Sequence, residues 1–125
     1  MAGAITFTYG TTNKTNAKSA KSFRMAWTSD ASGNVSGLPT RKINGKIRQL
    51  VTIPGAGGLA PTTLYDITLL DSDGRDVLAG VGANRSATLP EASAIIEQIV
   101  DDSALTLVVS AAGNAKQGTA VVYYD

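Results

Sequence analysis

The sequence predicts an all-β fold, a single antiparallel β-sandwich or jelly roll of about 7–8 strands preceded by an N-terminal arm. Three observations lead there. Large apolar residues recur at every second position in several short stretches, the pattern that puts them on one face of a strand. Thirteen glycines with only 6% aromatic residues suit short strands joined by tight turns better than a helix bundle. Gly, Pro, Asn, Asp and Ser punctuate the chain between the alternating stretches. A length of 125 residues fits one core, and the organisation read from it is a strand and polar arm over 1–21 followed by a sandwich over 22–125.

The clearest element is Thr62 to Gly80. Tyr65, Ile67 and Leu69 alternate with Asp66 and Thr68, so residues 64–70 read as a half-buried strand. Asp71-Ser72-Asp73-Gly74 supplies turn chemistry before Val77 and Leu78 resume the apolar pattern, which predicts a hairpin. At the start of the chain Ile5, Phe7 and Tyr9 alternate with Thr6 and Thr8, again a strand. Residues 10–21 hold Lys14, Lys18 and Lys21 and no apolar side chain larger than alanine, so they read as a long loop or arm. A strand on such a tether either folds back onto its own domain or adds to a neighbouring subunit's sheet edge.

Ser22 to Ser29 places Phe23, Met25 and Trp27 on one side, with Trp27 as the large core anchor. Lys42 to Ile53 reads as a long strand in which Ile43, Ile47, Val51 and Ile53 share a face, with Gly45 marking a bend or bulge. Pro54 to Pro61 is a Pro/Gly loop without a phosphate-binding pattern, and Gly80 to Glu91 is a second long loop around Asn84-Arg85. Ala92 to Val100 fits either helical spacing or a β-branched strand. Asp101-Asp102-Ser103 reads as a turn, and Ala104 to Ser110 with Thr119 to Tyr124 reads as a closing hairpin.

Composition narrows the chemistry. The chain has no cysteine and no histidine, so it lacks thiolate nucleophiles, disulfides and the side chain most used for proton transfer and metal ligation near neutral pH. No catalytic residue, metal ligand or cofactor site is expected. Asp71, Asp73 and Asp76 around Gly74 are the ligand type calcium prefers, but the downstream glutamate and flanking helices of a calcium loop are missing, and an ordinary turn is the expectation. The N-terminus lacks a basic region followed by a roughly 7–15-residue apolar core, and no run approaches the ~18 apolar residues of a membrane span. A soluble protein made in a cytoplasm, without a membrane partner, is expected. Three sequons at Asn13, Asn34 and Asn84 read as chance in so Ser/Thr-rich a chain.

The overall charge of +1 conceals an uneven distribution: residues 1–50 hold eight basic and one acidic side chain, residues 51–125 three basic and nine acidic. Such charges either solvate outward faces or steer a charged partner. Nucleic acid is not expected as a partner, because Tyr9, Phe23 and Trp27 alternate with polar residues as core positions do.

From IRQLVTIPGAGGLAPTTLYDITLLDSDGRDVLAGVGANR to DDSALTLVVSAAGNAKQGTAVVYYD, roughly Ile47 to Tyr124, the sequence resembles small structural proteins of tailed-bacteriophage virions. The shared features are a Pro/Gly loop, a YDITL-like strand, a DxxGxDVL turn, a GANR-like loop and an LTLxVxxAGNAKxG hairpin. The resemblance implies a virion protein without enzymatic activity: a capsid decoration (cement) protein on the head surface, binding the major capsid protein and copies of itself as a dimer or trimer. A low-copy neck or tail component is the alternative within the same class, and a carbohydrate-binding sandwich using Trp27 or Tyr123 is the alternative outside it. The expected contact residues are Ile5, Phe7, Lys14, Lys18 and Lys21 in the arm, with Pro54, Leu59, Pro61, Asn84 and Arg85 in the two loops.

Overall fold

The structure is a computed structural model that describes residues 3–10, 21–37 and 39–125. It is all-β: two antiparallel sheets pack face to face around one core. The larger sheet runs in the order β1 (Ala4–Gly10), β2 (Lys21–Thr28), β9 (Gln117–Tyr124), β4 (Ile43–Pro54), with β6 (Glu91–Ala92) and β7 (Gln98–Ser103) both along the far edge of β4. The smaller sheet has the order β3 (Val35–Ser36), β8 (Thr106–Ser110), β5 (Asp66–Leu70). No helix among the described residues is long and apolar enough to cross a membrane.

Period-two patterning explains which side chains seal the core. Phe23, Met25 and Trp27 of β2 point inward and are at most 1% exposed, as are Ile67 and Leu69 of β5 and Leu107 and Val109 of β8. Trp27 meets Tyr65 from the opposite sheet, with ring centroids 5.5 Å apart. Gly118 of β9 makes room for that indole, because a Cβ there would stand 2.5 Å from Trp27 Cζ2.

The long strand β4 departs from the expected facing. Its register against β7 shifts between Ile43 and Gly45, where Gly45 adopts φ 144°, as the bulge expectation requires. A second shift against β9, between Ile47 and Gln49, was not expected. Slipping one residue exchanges the two faces of everything downstream. Ile43 and Ile47 therefore point inward with Leu50 and Thr52, while Val51 and Ile53 are only half-buried.

Of the two expected hairpins, the first forms only as far as a single antiparallel bridge, Leu70 opposite Asp76, and the second does not form. The turn after β5 forms, with Gly74 N donating to Asp71 O at 3.0 Å and Val77 N to Leu69 O at 2.8 Å. The returning limb then coils instead of extending, because the Asp76 carboxylate collects the N–H groups of Leu69, Leu78 and Gly80. The ladder partner of β5 is β8. Strands β8 and β9 do not pair with each other: β8 lies in the small sheet and β9 in the large one, so the Ala111–Lys116 connection crosses between layers. The predicted turn at Asp101–Ser103 is the last half of β7, and Ala92–Val100 resolves into β6, an irregular stretch and the start of β7, with no helix.

Candidate functional site

The end of the sandwich where β4 finishes gathers both loops singled out by the sequence. Residues 55–65 leave the C-terminus of β4, and β6 pairs antiparallel with Thr52 and Val51, so the chain before Glu91 projects past the same end. The loops are tied together by Leu64 N to Arg85 O at 3.0 Å and Arg85 N to Tyr65 O at 2.8 Å. Leu59 crowns the 3₁₀ turn at Gly57–Leu59 and is 45% exposed. Leu64 and Leu89, 58% and 66% exposed, stand out from the same loops. Neither is legible as a contact residue from sequence: alternation places Leu64 in the following strand, although it has φ 65°, and Leu89 falls in a stretch that reads only as loop. The available signal was a large apolar residue beside Pro90 in an otherwise polar stretch.

The other expected contact residues divide by environment. Asn84 is exposed, in a left-handed conformation at φ 55°, with its N–H held by Asp66 Oδ1 at 2.9 Å. Pro54 is half-buried and Pro61 buried. Arg85 is only 7% exposed and turns inward. Its Nε donates to Thr52 Oγ1 at 3.1 Å, its Nη1 to Val81 O at 2.7 Å, and Glu91 Oε1 lies 3.6 Å from Nε. This guanidinium ties the second loop to the core, so at this end the contact-capable groups are Leu59, Leu64, Asn84 and Leu89.

In the N-terminal region, β1 pairs with β2 of its own chain from Ala4↔Thr28 to Gly10↔Ser22. Ile5 and Phe7 are half-buried against the core. Lys21 is exposed at the start of β2, its ammonium 5.8 Å from the Tyr124 ring centroid. Lys14 and Lys18 lie outside the described residues.

In the acidic turn the Asp71 and Asp76 oxygens are committed to hydrogen bonds within the segment. Asp71 Oδ1 accepts from Asp73 N and Arg75 N, and Oδ2 pairs with Arg75 Nε at 3.1 Å. The Arg75 backbone N–H, first among several donors, holds the Asp71 carboxyl below the usual carboxylate value. Among the described residues no group of three or more His, Cys, Asp or Glu is placed to hold a metal ion. The aromatic residues are similarly engaged: Phe23 and Trp27 are buried, and the Arg41 guanidinium lies 3.5 Å from the Tyr9 ring centroid. Trp27 therefore presents no face for a sugar to stack on.

Comparison finds no relatives. No protein-family model, curated protein or solved structure matches the chain. Besides the three exposed leucines, Ile95 and Ile99, 66% and 61% exposed, flank β4 beside the Arg48–Glu97 ion pair.

Proposed function

We propose that the chain is a structural virion protein that decorates the outside of a tailed-phage head, binding the major capsid protein across neighbouring capsomers and associating with copies of itself. The observation that carries this reading is three exposed apolar side chains, Leu59, Leu64 and Leu89, on the loops that leave one end of a closed core. Large apolar groups held out on a rigid scaffold favour docking onto another macromolecule, since burying them on a partner releases the water they order. The sequence resemblance over Ile47 to Tyr124 supports the choice of partner. Weak individual contacts suffice for such a role, because many copies on a symmetric lattice gain by avidity.

Quantitative mass spectrometry of purified phage particles tests it. The expected result is a copy number on the scale of the capsomer sites, lost in parallel with particle stability when Leu59, Leu64 and Leu89 are replaced together by serine. Absence from the particle ends the reading, and a handful of copies per particle replaces it with a neck or tail position.

A further inference from the structure

The sandwich has several sheet edges, and among the described residues all but one are protected. The outer edge of β5 is covered by its own chain, through Ile67 N to Gly82 O and Val77 N to Leu69 O. Strands β3 and β6 are two residues each. Strand β7 carries the exposed acids Asp101 and Asp102, and Arg75 Nη2 donates to its Ile99 carbonyl at 2.6 Å. Short length, charge and covering chain are the usual means of preventing edge-to-edge pairing. Among the described residues strand β1 has none of them. Its seven residues, AITFTYG, contain no charge and no proline, and its register against β2 runs without a bulge. Among the described residues nothing hydrogen-bonds its outer edge.

The burial of β1 is also incomplete. Ile5, Phe7 and Tyr9 are half-buried, whereas the residues directly opposite them in β2, Trp27, Met25 and Phe23, are at most 1% exposed. A further strand beside β1 would cover the remainder.

We propose that β1 pairs antiparallel with β1 of a second copy of this chain about a twofold axis at Phe7, joining the two large sheets into one continuous sheet across a dimer. The strand is self-complementary in that register. Phe7 meets its equivalent, Ile5 meets Tyr9 on the core side, Thr6 meets Thr8 on the outer side, and Ala4 meets Gly10. Apolar groups thus oppose apolar groups, hydroxyl opposes hydroxyl, and no like charges face each other. An isologous contact of this kind closes at two copies. The proposal deepens the self-association in the reading above and rests on that part alone, since it holds for the isolated protein whatever particle it joins.

Sedimentation equilibrium of the purified full chain tests it, using the exposed threonines so that the core is untouched. Wild type is expected to show a monomer–dimer equilibrium. Thr6→Lys/Thr8→Lys sets lysine against lysine twice across the axis and is expected to weaken the dimer ~10-fold or more, with unchanged circular dichroism. Thr6→Lys/Thr8→Glu sets lysine against glutamate in the same two places and is expected to retain it, in a salt-sensitive form. A wild type that stays monomeric overturns the proposal. So does a doubly lysine-substituted chain that dimerises as well as wild type, or loss of the dimer in both variants alike. Virion copy number is read separately, so a failed dimer and a failed decoration role are told apart.

Discussion

Tyr65 and Trp27 bring the two sheets together and share an unmet need. The Tyr65 hydroxyl and the Trp27 Nε1 are both buried with no hydrogen-bond partner among the described residues. Thr52 stands beside the phenol without meeting hydrogen-bond geometry and accepts from Arg85 Nε instead. Burial pushes the Tyr65 pKa above its ordinary 10.0, outweighing the opposing pull of Thr52 and Arg85. A buried hydroxyl left unpaired loses its hydrogen bonds to water with none in return, so Tyr65→Phe is expected to stabilise the fold by about 1 kcal/mol in denaturant titration. The sign with pH follows from the neutral form being favoured in the fold. The corresponding stability is present below pH 10.0 and is lost as pH rises through the raised pKa, so the lead of the variant over wild type should widen in alkali. A variant less stable than wild type contradicts the assignment.

At the scale of elements, the turn after β5 shows how one side chain organises a segment. Asp71 holds the turn through Asp73 and Arg75, and Arg75 reaches across to Gln98 Oε1 at 2.9 Å and the Ile99 carbonyl, joining the small sheet's turn to β7 of the large one. The Asp71 carboxyl is lowered from 3.8, so its contribution is complete above that value and fades as pH falls toward its folded pKa. Asp71→Asn is therefore expected to lower Tm at neutral pH, with the gap to wild type closing only below about pH 4. A gap of constant size down to acid pH shows that geometry, and not charge, is what Asp71 supplies. The turn was legible because Asp, Ser and Gly signal it locally. The coiled return limb was not: Val77 and Leu78 are adjacent and both fully buried, which alternation in a half-buried strand does not give, and the Asp76 carboxylate takes up the N–H groups a ladder partner would have used.

The molecule as a whole is assembled from distant pairings. Strand β2 lies against β9, Lys21 opposite Tyr124, so the fold closes only when the two ends of the chain meet. Loop-closure entropy must be overcome before such contacts stabilise anything, and refolding is expected on the millisecond-to-second scale typical of non-local β topologies. Trp27, the only tryptophan and buried at that seam, reports it in stopped-flow fluorescence; a microsecond relaxation contradicts this. The same interleaving brings the basic and acidic halves together: Lys42 lies 3.8 Å from Asp102, and Arg48 lies 2.9 Å from Glu97 and 3.5 Å from Asp125. These pairs are exposed, and each contributes at most about 1 kcal/mol. Charge separated along the chain is here mixed in space.

The sequence by itself determined that the chain is all-β and which face of most strands is apolar, because alternation is a local property that a strand expresses wherever it sits. Phe23, Met25, Trp27, Tyr65, Ile67 and Leu69 are buried as their spacing requires. Tertiary structure alone decided which strands pair, that Leu50 and Thr52 replace Val51 and Ile53 on the inner face of β4, that Arg85 points inward and Leu64 outward, and that β1 pairs on one edge only among the described residues. Each of these depends on hydrogen bonds to residues far along the chain, and a single slipped register reverses a face without changing the local pattern that sequence reading detects.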